Sequence, residues 1–422
     1  MLDRKLIRKD PDRVREGLRR KGAEFDIDSF LAADERQRAL IQEGERLKHE
    51  RNEASIEIPR LKKEGKDASA ILSRMKETAE RIREIDRELK EINDRLDDLA
   101  LYMPNLPHES VPVGTCPEHN VVRRSWGEPQ ALPFAPAPHW EIGERLGVLD
   151  LAAGSTLGGR GFVVLRGDGA LLSRALINFM LDLHRRQGYE EVSVPFLVLR
   201  ECMVGTGQLP KLAEDMYVCE RDDLFLIPTA EVPLTNLYRE TIIDGDRLPV
   251  KLAAWSACFR REAGSYGQET RGLVRVHQFD KVEMVKIVAP DESYDELESL
   301  TRDATAVLEA LEIPHRIIEL CTMDLSFGAA KCYDIETWAP GMQRWLEVSS
   351  CSNFEDFQAR RANIRLRRGK QERSEFAHTL NGSGLALPRV IATILELNQT
   401  PTGKVRIPKA LVPYMGGREY LE

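Results

Sequence analysis

The chain has 422 residues, 42% hydrophobic, 31% charged and 6% aromatic, a composition of neither a disordered tail nor a membrane protein. That length predicts two or three domains, because a single core stops growing beyond roughly 250–300 residues. The 61 Lys and Arg against 69 Asp and Glu give a formal charge of −8, which excludes a uniformly basic nucleic-acid coat and leaves room for a local basic patch.

The start, Met1-Leu2-Asp3-Arg4-Lys5, carries no apolar h-region, and no stretch approaches the roughly 18–20 apolar residues of a membrane span. The expected location is therefore cytoplasmic, with no membrane partner. Seven cysteines stand singly, none in a CxxC pair, and the eight histidines include no HxxxH. Reduced thiols and no zinc are the expectation.

From Leu72 the apolar residues run Leu72, Met75, Ala79, Ile82, Ile85, Leu89, Ile92, Leu96 and Leu99, with gaps alternating between three and four. This is the a/d seam of a coiled coil. Its 28 residues predict a rod of about 42 Å. A weaker seven-residue series, Leu40, Leu47, Ala54 and Leu61, precedes it. Glu64-Gly65-Lys66-Asp67 lies between the two, where glycine permits a reversal. Two long antiparallel helices with a short tip are expected. The tip is basic (Arg60, Lys62, Lys63, Lys66) and the root acidic. Such a hairpin serves as a dimerisation coil or as an arm touching a nucleic-acid backbone, and the pattern alone leaves both open.

Prolines end the hairpin at Met103-Pro104-Asn105-Leu106-Pro107-His108. Beyond Glu141, strand patterns (Gly161–Leu165, Glu191–Val194) and helix patterns (Ala170–Arg186) do not alternate regularly. An α+β domain built on an antiparallel sheet fits better than a doubly wound parallel one. Lys251–Arg260 and Leu273–Val288 read as two strands joined by a glycine-bearing hairpin loop over 263–272. On the second strand, period two puts Arg275, Phe279 and Glu283 on one face over roughly 13 Å. A cation, an aromatic plate and a carboxylate in a row suit an elongated ligand with a phosphate, a planar ring and an amine. Otherwise the row is a solvated sheet surface, although Phe279 among charges argues against that. Arg260 and Glu262 share a face at the end of the neighbouring strand, where arginine offers a bidentate fork to phosphate. Asn381-Gly382-Ser383-Gly384 reads as a loop leading through Pro388 and Arg389 into an apolar helix, Val390–Leu397. Arg389 would add its charge to the helix N-terminus for an anion. Gly158-Gly159-Arg160-Gly161 and Gly167-Asp168-Gly169 lack the order of a phosphate loop, and no GxSxG supports a serine hydrolase.

These stretches resemble the three motifs of class II aminoacyl-tRNA synthetases, and the chain as a whole resembles the bacterial-type seryl-tRNA synthetase family. The specific parts are Pro228-Thr229-Ala230-Glu231-Val232-Pro233-Leu234, Cys258-Phe259-Arg260-Arg261-Glu262-Ala263-Gly264, and Thr270-Arg271-Gly272-Leu273-Val274-Arg275-Val276-His277-Gln278-Phe279. Glu347-Val348-Ser349-Ser350-Cys351-Ser352-Asn353 and Asn381-Gly382-Ser383-Gly384 complete them. The resemblance implies an N-terminal tRNA-binding domain over 1–108, with its helical hairpin over about 28–100. A catalytic domain over 109–422 follows, its antiparallel sheet flanked by helices. It implies serine–tRNA ligase activity: seryl-adenylate and pyrophosphate from L-serine and ATP, then transfer to the 3′ end of tRNA(Ser) and of tRNA(Sec).

Residue by residue, the resemblance assigns the ATP α-phosphate to Arg260, the adenine stack to Phe279 and the adenine edge to Glu262. The outer phosphates go to Arg275 and Arg389. Arg261, Val276, His277, Gln278, Val348 and Ser349 complete the nucleotide site, and Glu347 and Ser350 would hold Mg²⁺. Thr229, Ala230, Glu231 and Glu283 would surround serine, with Ser383 closing the pocket. Arg60, Lys62, Lys63 and Lys66 would touch tRNA, and Ala170–Pro195 matches the family's homodimer interface. Ser326, Leu387-Pro388 and Leu397-Asn398-Gln399 depart from the usual pattern without removing a charged ligand residue. Strict alternation puts Glu347 and Ser350 on opposite faces, so a bulge near Ser349 is needed for both to face one metal. A ligase charging a carrier protein would lack the hairpin, and a degenerate ligase domain would leave the intact charged set unexplained.

Overall fold

The computed structural model describes residues 1–129, 131–263, 271–369 and 371–422. Most of the expected 263–272 hairpin loop, residues 264–270, lies outside the described residues. The chain divides into two compact units. One comprises Leu2–Arg19 and Ala23–Met103, the other Met1, Arg20–Gly22 and Pro104–Glu422.

In the first unit two short helices, α1 (Arg4–Lys9) and α2 (Pro11–Arg20), lead into two long ones, α3 (Ile27–Lys63) and α4 (Ser69–Tyr102). Asp26 starts α3 as its N-cap, its carboxylate accepting from the Ser29 amide. The long helices have 37 and 34 residues, about 55 and 51 Å at 1.5 Å per residue, and so outrun the expected rod. Their seam packs Leu40 and Leu47 against Ile82 and Ile85, flanked by Leu89 and Ile92. Towards the tip the phase shifts by one residue. Leu72 is 46% exposed, whereas Ile71 and Met75 are half-buried and Thr78 is buried. A strict 3-4 count drifts off a straight helix of period 3.6 in this way. Cross-helix ion pairs line the seam, among them Arg36–Glu88 at 2.7 Å, Arg81–Glu43 at 2.9 Å and Arg74–Glu50 at 2.9 Å. At the tip Arg60, Lys62, Lys63 and Lys66 are all exposed. Glu64 stands within 3.9 Å of Arg60 and 2.8 Å of Lys66, so part of the basic charge is offset locally.

The second unit is built on an eight-stranded sheet. In chain order its strands are β1 (Val121–Trp126), β2 (Glu190–Glu191), β3 (Val250–Phe259), β4 (Gln278–Val288), β5 (His315–Glu319), β6 (Lys331–Ala339), β7 (Arg344–Asn353) and β8 (His378–Ala386). Their spatial order is β1-β5-β6-β7-β8-β4-β3-β2. Every pairing is antiparallel except that of the short edge strand β2 with β3. This is the α+β arrangement expected from the irregular alternation of patterns. Three helices, α5 (Asp168–Arg186), α6 (Ser293–Ala310) and α7 (Leu387–Leu397), supply Leu172, Leu176, Leu297, Leu300, Val390 and Ile394 to the main core. The sheet answers with Val282 and Met284 of β4 and with Ile335, Leu346, Val348 and Leu385. Because successive strand residues face opposite sides, burying Val282 and Met284 turns Phe279, Lys281 and Glu283 to the other face.

Several elements differ from their expected bounds. Only Val164–Leu165 of the Gly161–Leu165 stretch is strand, and β2 covers Glu190–Glu191 instead of Glu191–Val194. β4 starts at Gln278, not Leu273. The Leu273 amide donates to His139 and the His277 amide to the Gly161 carbonyl, so neither joins the ladder. Asn381-Gly382-Ser383-Gly384 is the middle of strand β8 and not a loop, and α7 begins directly behind it at Leu387.

Candidate active site

On the sheet face away from the three helices lies a cavity of about 580 Å³. Its walls come from the end of β3, the segment 273–276, the odd face of β4, the middle of β7 and the β8–α7 junction. Charge converges on it from every side. Arg260 follows β3 and is held by backbone: its amide donates to the His277 carbonyl at 2.9 Å, and its Nε to the Pro228 carbonyl at 3.3 Å. Its guanidinium lies 5.2 Å from the centre of the Phe279 ring. A cation over an aromatic face leaves the other face of the ring for a planar ligand. Glu262 sits at φ 50°, a left-handed conformation that costs a non-glycine residue roughly 1–2 kcal/mol. It lines the cavity beside Arg275, whose Nε is 3.5 Å from its carboxylate.

Arg389 stands in the first turn of α7. Its Nε donates to the Val274 carbonyl at 3.1 Å, and its Nη1 to the Glu347 carbonyl at 2.8 Å. The Glu347 carboxylate lies 3.3 Å from the same nitrogen. The bulge that Glu347 and Ser350 require is present. Ser349 pairs with Ile335 and Glu347 with Glu336, which leaves Val348 as the extra residue of β7. Glu347 and Ser350 consequently both line the cavity. Asp334 of β6 pairs with Ser350 across the ladder. Burial, then the Glu347 charge, pushes its carboxyl well above the ordinary range, opposed by a hydrogen bond from Ser350. A carboxylate and a hydroxyl beside a second, buried carboxyl are the oxygen donors a hard divalent cation prefers. Among the described residues no group of three or more His, Cys, Asp or Glu is arranged to hold a metal by itself.

The remaining part of the cavity is deeply buried. Thr229 and Glu231 precede and open the short helix Glu231–Asn236, and the Thr229 hydroxyl accepts from the Glu231 amide at 3.2 Å. Gln358 donates to Glu231 at 2.7 Å. Burial, then the nearby Glu283, pushes the Glu231 carboxyl up to about 7, against the lowering effects of Gln358, Lys281 and Arg260. Glu283 is fully buried. Asn381 donates to it at 3.1 Å, and the Lys281 ammonium pairs with its other oxygen.

Of the predicted residues, Thr229, Glu231, Arg260, Glu262, Arg275, Val276, Phe279, Glu347, Val348, Ser349, Ser350, Ser383 and Arg389 line this one cavity. Five do not. Glu283 lies behind Lys281 and Asn381, which do line it. Ala230 is packed in an apolar cluster with Leu234 and Ala254. The Arg261 guanidinium lies over the Tyr217 ring at 5.6 Å. His277 directs Nδ1 to the Arg260 carbonyl at 3.0 Å, and Gln278 is exposed on the opposite face from Phe279. Sequence reasoning gave no site role to Lys281, Asn381, Gln358 or Asp334. Lys281 was available, because the alternation that joins Phe279 to Glu283 passes through it. Gln358 and Asp334 reach the site only through tertiary packing; Gln358 stands in Asp356-Phe357-Gln358-Ala359-Arg360-Arg361, a stretch the family resemblance also covers, whereas no local pattern marks Asp334.

Residues 1–107 match the seryl-tRNA synthetase N-terminal domain, and residues 217–398 the class II tRNA synthetase core domain (G, H, P, S and T). The chain is 58% identical over 420 residues to the serine–tRNA ligase of Desulforudis audaxviator, covering 99% of both proteins. It is 54% identical over 417 residues to that of Carboxydothermus hydrogenoformans, covering 99% of this chain and 98% of the relative. Its fold matches the crystal structure of seryl-tRNA synthetase from Pyrococcus horikoshii complexed with ATP. That match has a TM-score of 0.95 at 37% identity and covers 100% of this chain and 99% of that one.

Proposed function

Because the chain belongs to the seryl-tRNA synthetase family of class II aminoacyl-tRNA ligases, we propose that its cavity joins L-serine to ATP and passes the serine to tRNA(Ser). The observation that carries this reading is the convergence in one cavity of Arg260 over Phe279, the Arg389–Glu347 pair, and the buried Thr229–Glu231 step.

In this reading adenine stacks on Phe279 with Glu262 at its edge, and Arg275 and Arg389 take the outer phosphates. The serine carboxylate, already ionised at neutral pH, needs no general base. One of its oxygens attacks the α-phosphorus, the bond to the β-phosphate oxygen breaks, and pyrophosphate leaves. Arg260 neutralises the charge that builds on the α-phosphate, so rate comes from positioning and preorganised charge. Glu347 and Ser350 would hold Mg²⁺, which would supply further charge neutralisation across the phosphates. Thr229 and Glu231 take the serine ammonium. Glu283, held by Lys281 and Asn381 behind the cavity wall, meets the serine hydroxyl through these two residues. An alanine substrate leaves that buried polar set with one hydrogen bond unmade, which is how a site built on a hydroxyl rejects its absence. In the second step the tRNA 3′-terminal hydroxyl attacks the seryl carbonyl and AMP leaves.

The exposed Arg60, Lys62, Lys63 and Lys66 support a role for the hairpin tip in gripping the tRNA backbone. The same reading includes use of tRNA(Sec), a cytoplasmic location, and a homodimer formed through Ala170–Pro195. Light scattering should then give a mass about twice 47.9 kDa. The decisive experiment is ATP–pyrophosphate exchange with each amino acid in the presence of magnesium. Serine-dependent exchange supports the reading, and folded protein that exchanges with no amino acid overturns it.

A further inference from the structure

Behind the nucleotide side of the cavity lies a buried pair that takes no part in the mechanism above. His139 and Glu396 are both fully buried, and their side chains meet at 2.8 Å between Nδ1 and Oε1. The same Oε1 accepts from the His139 amide at 2.9 Å. Oε2 accepts from the amides of Gly341 and Met342 at 2.8 and 3.1 Å. The carboxylate thus meets four N–H donors and, among the described residues, pairs with no lysine or arginine. On the far side of the imidazole, Nε2 accepts from the Leu273 amide at 3.0 Å.

This geometry settles the tautomer. An amide N–H can only donate, so Nε2 carries no proton, and the proton of the neutral ring sits on Nδ1, facing Glu396. The approach is too close for any side chain on the neighbouring backbone. A Cβ on Gly272, which has φ +75°, would lie 2.2 Å from His139 Nε2, and one on Gly341 would lie 2.3 Å from the Ala137 carbonyl oxygen.

We propose that His139 and Glu396 are a positioning dyad for the nucleotide half of the site. Glu396 fixes the ring, and the ring fixes the Leu273 amide. Leu273 opens the segment that carries the Val274 carbonyl, to which Arg389 Nε donates, and then Arg275. Glu396 stands in α7, whose first turn carries Arg389, so one helix bears both the anchor and the arginine it aligns. This inference rests on the reading of the cavity as a nucleotide site.

Two half-replacements test it. In His139→Gln the amide oxygen reaches the place of Nε2 and restores the acceptor for Leu273. In His139→Asn the amide reaches the place of Nδ1 and restores only the contact to Glu396. In pyrophosphate exchange, His139→Asn should raise KM for ATP about tenfold or more while KM for serine stays within about twofold, and His139→Gln should recover most of the loss. Nitrogen-15 spectra of histidine-labelled wild-type protein, with the His139 signal identified by its loss in His139→Gln, should show a protonated Nδ1 and an unprotonated Nε2. An Nε2-protonated ring, or equal rises in KM for ATP and serine, would overturn the dyad. The spectrum reports on the dyad even if no amino acid supports exchange, so its failure is separable from failure of the functional reading.

Discussion

The helical hairpin and the cavity use the same residue types in opposite ways. Along the hairpin, Arg, Lys and Glu stay in water and pair across the seam, while Leu40, Leu47, Ile82 and Ile85 do the holding. Exposed pairs of that kind contribute little, because the Coulomb gain is spread through high dielectric and offset by ordering long side chains. Glu231 and Lys281 in the cavity wall, and Glu283 behind it, are at most 5% exposed, and burial disfavours the charged form of Glu231. There the fold gives up stability to place charge where a ligand will meet it. An equal density of charged residues therefore says nothing of function until burial is known.

Breaking the contrast at its strongest point, Arg260→Ala should lower serine-dependent pyrophosphate exchange about 10³-fold and leave tRNA affinity unchanged in filter binding. Glu283→Ala should narrow the ratio of exchange rates for serine over alanine by about 10²-fold. A hairpin-tip variant with Lys62, Lys63 and Lys66 changed to Glu should do the reverse of Arg260→Ala. Its KM for tRNA should rise about tenfold and lose salt dependence, while exchange stays intact.

The pH dependence of Glu231 sharpens the same contrast. Its folded value of about 7 lies above the ordinary carboxylate range, so the free site is protonated at low pH and binds the serine ammonium poorly. The ratio kcat/KM for serine should rise up to about tenfold per pH unit towards 7 and level off above it. For stability the sign is opposite. The buried carboxyl is neutral at low pH, and its ionisation is costly as pH rises through about 7. Melting curves should show wild type losing ground to Glu231→Gln as pH rises from the ordinary carboxylate range to about 7, and holding level above it. The smallest effect belongs to the hairpin: Arg36→Ala, which breaks the exposed pair with Glu88, should leave the melting temperature within about 2 °C.

The two regions were also unequally legible in the sequence. A seam of period 3.5 is a local property, so the hairpin followed from residue spacing alone, with an error of one residue at Leu72 where the straight helix slips against the count. The face of β4 was legible for the same reason, since alternation alone joins Phe279 to Glu283. What spacing cannot supply is which backbone amides leave the ladder. That is why Leu273–His277 was taken for strand, although two of its amides bond His139 and Gly161. Nor can it supply partners brought in from distant helices, as Gln358 is brought to Glu231. The resemblance of motifs named most of the cavity wall, but it also carried over Arg261 and Gln278, whose side chains point elsewhere in this fold.

The extra residue at Val348 sets a rule for how β7 can vary. Its neighbours can change identity one at a time, and each change costs only what that side chain contributed. Removing a single position, however, would rotate everything on one side of the gap by half a turn, taking either the glutamate or the serine out of the cleft while leaving the ladder intact. The length of this strand is therefore under a tighter constraint than its spelling, and a one-codon deletion here should be more damaging than most substitutions.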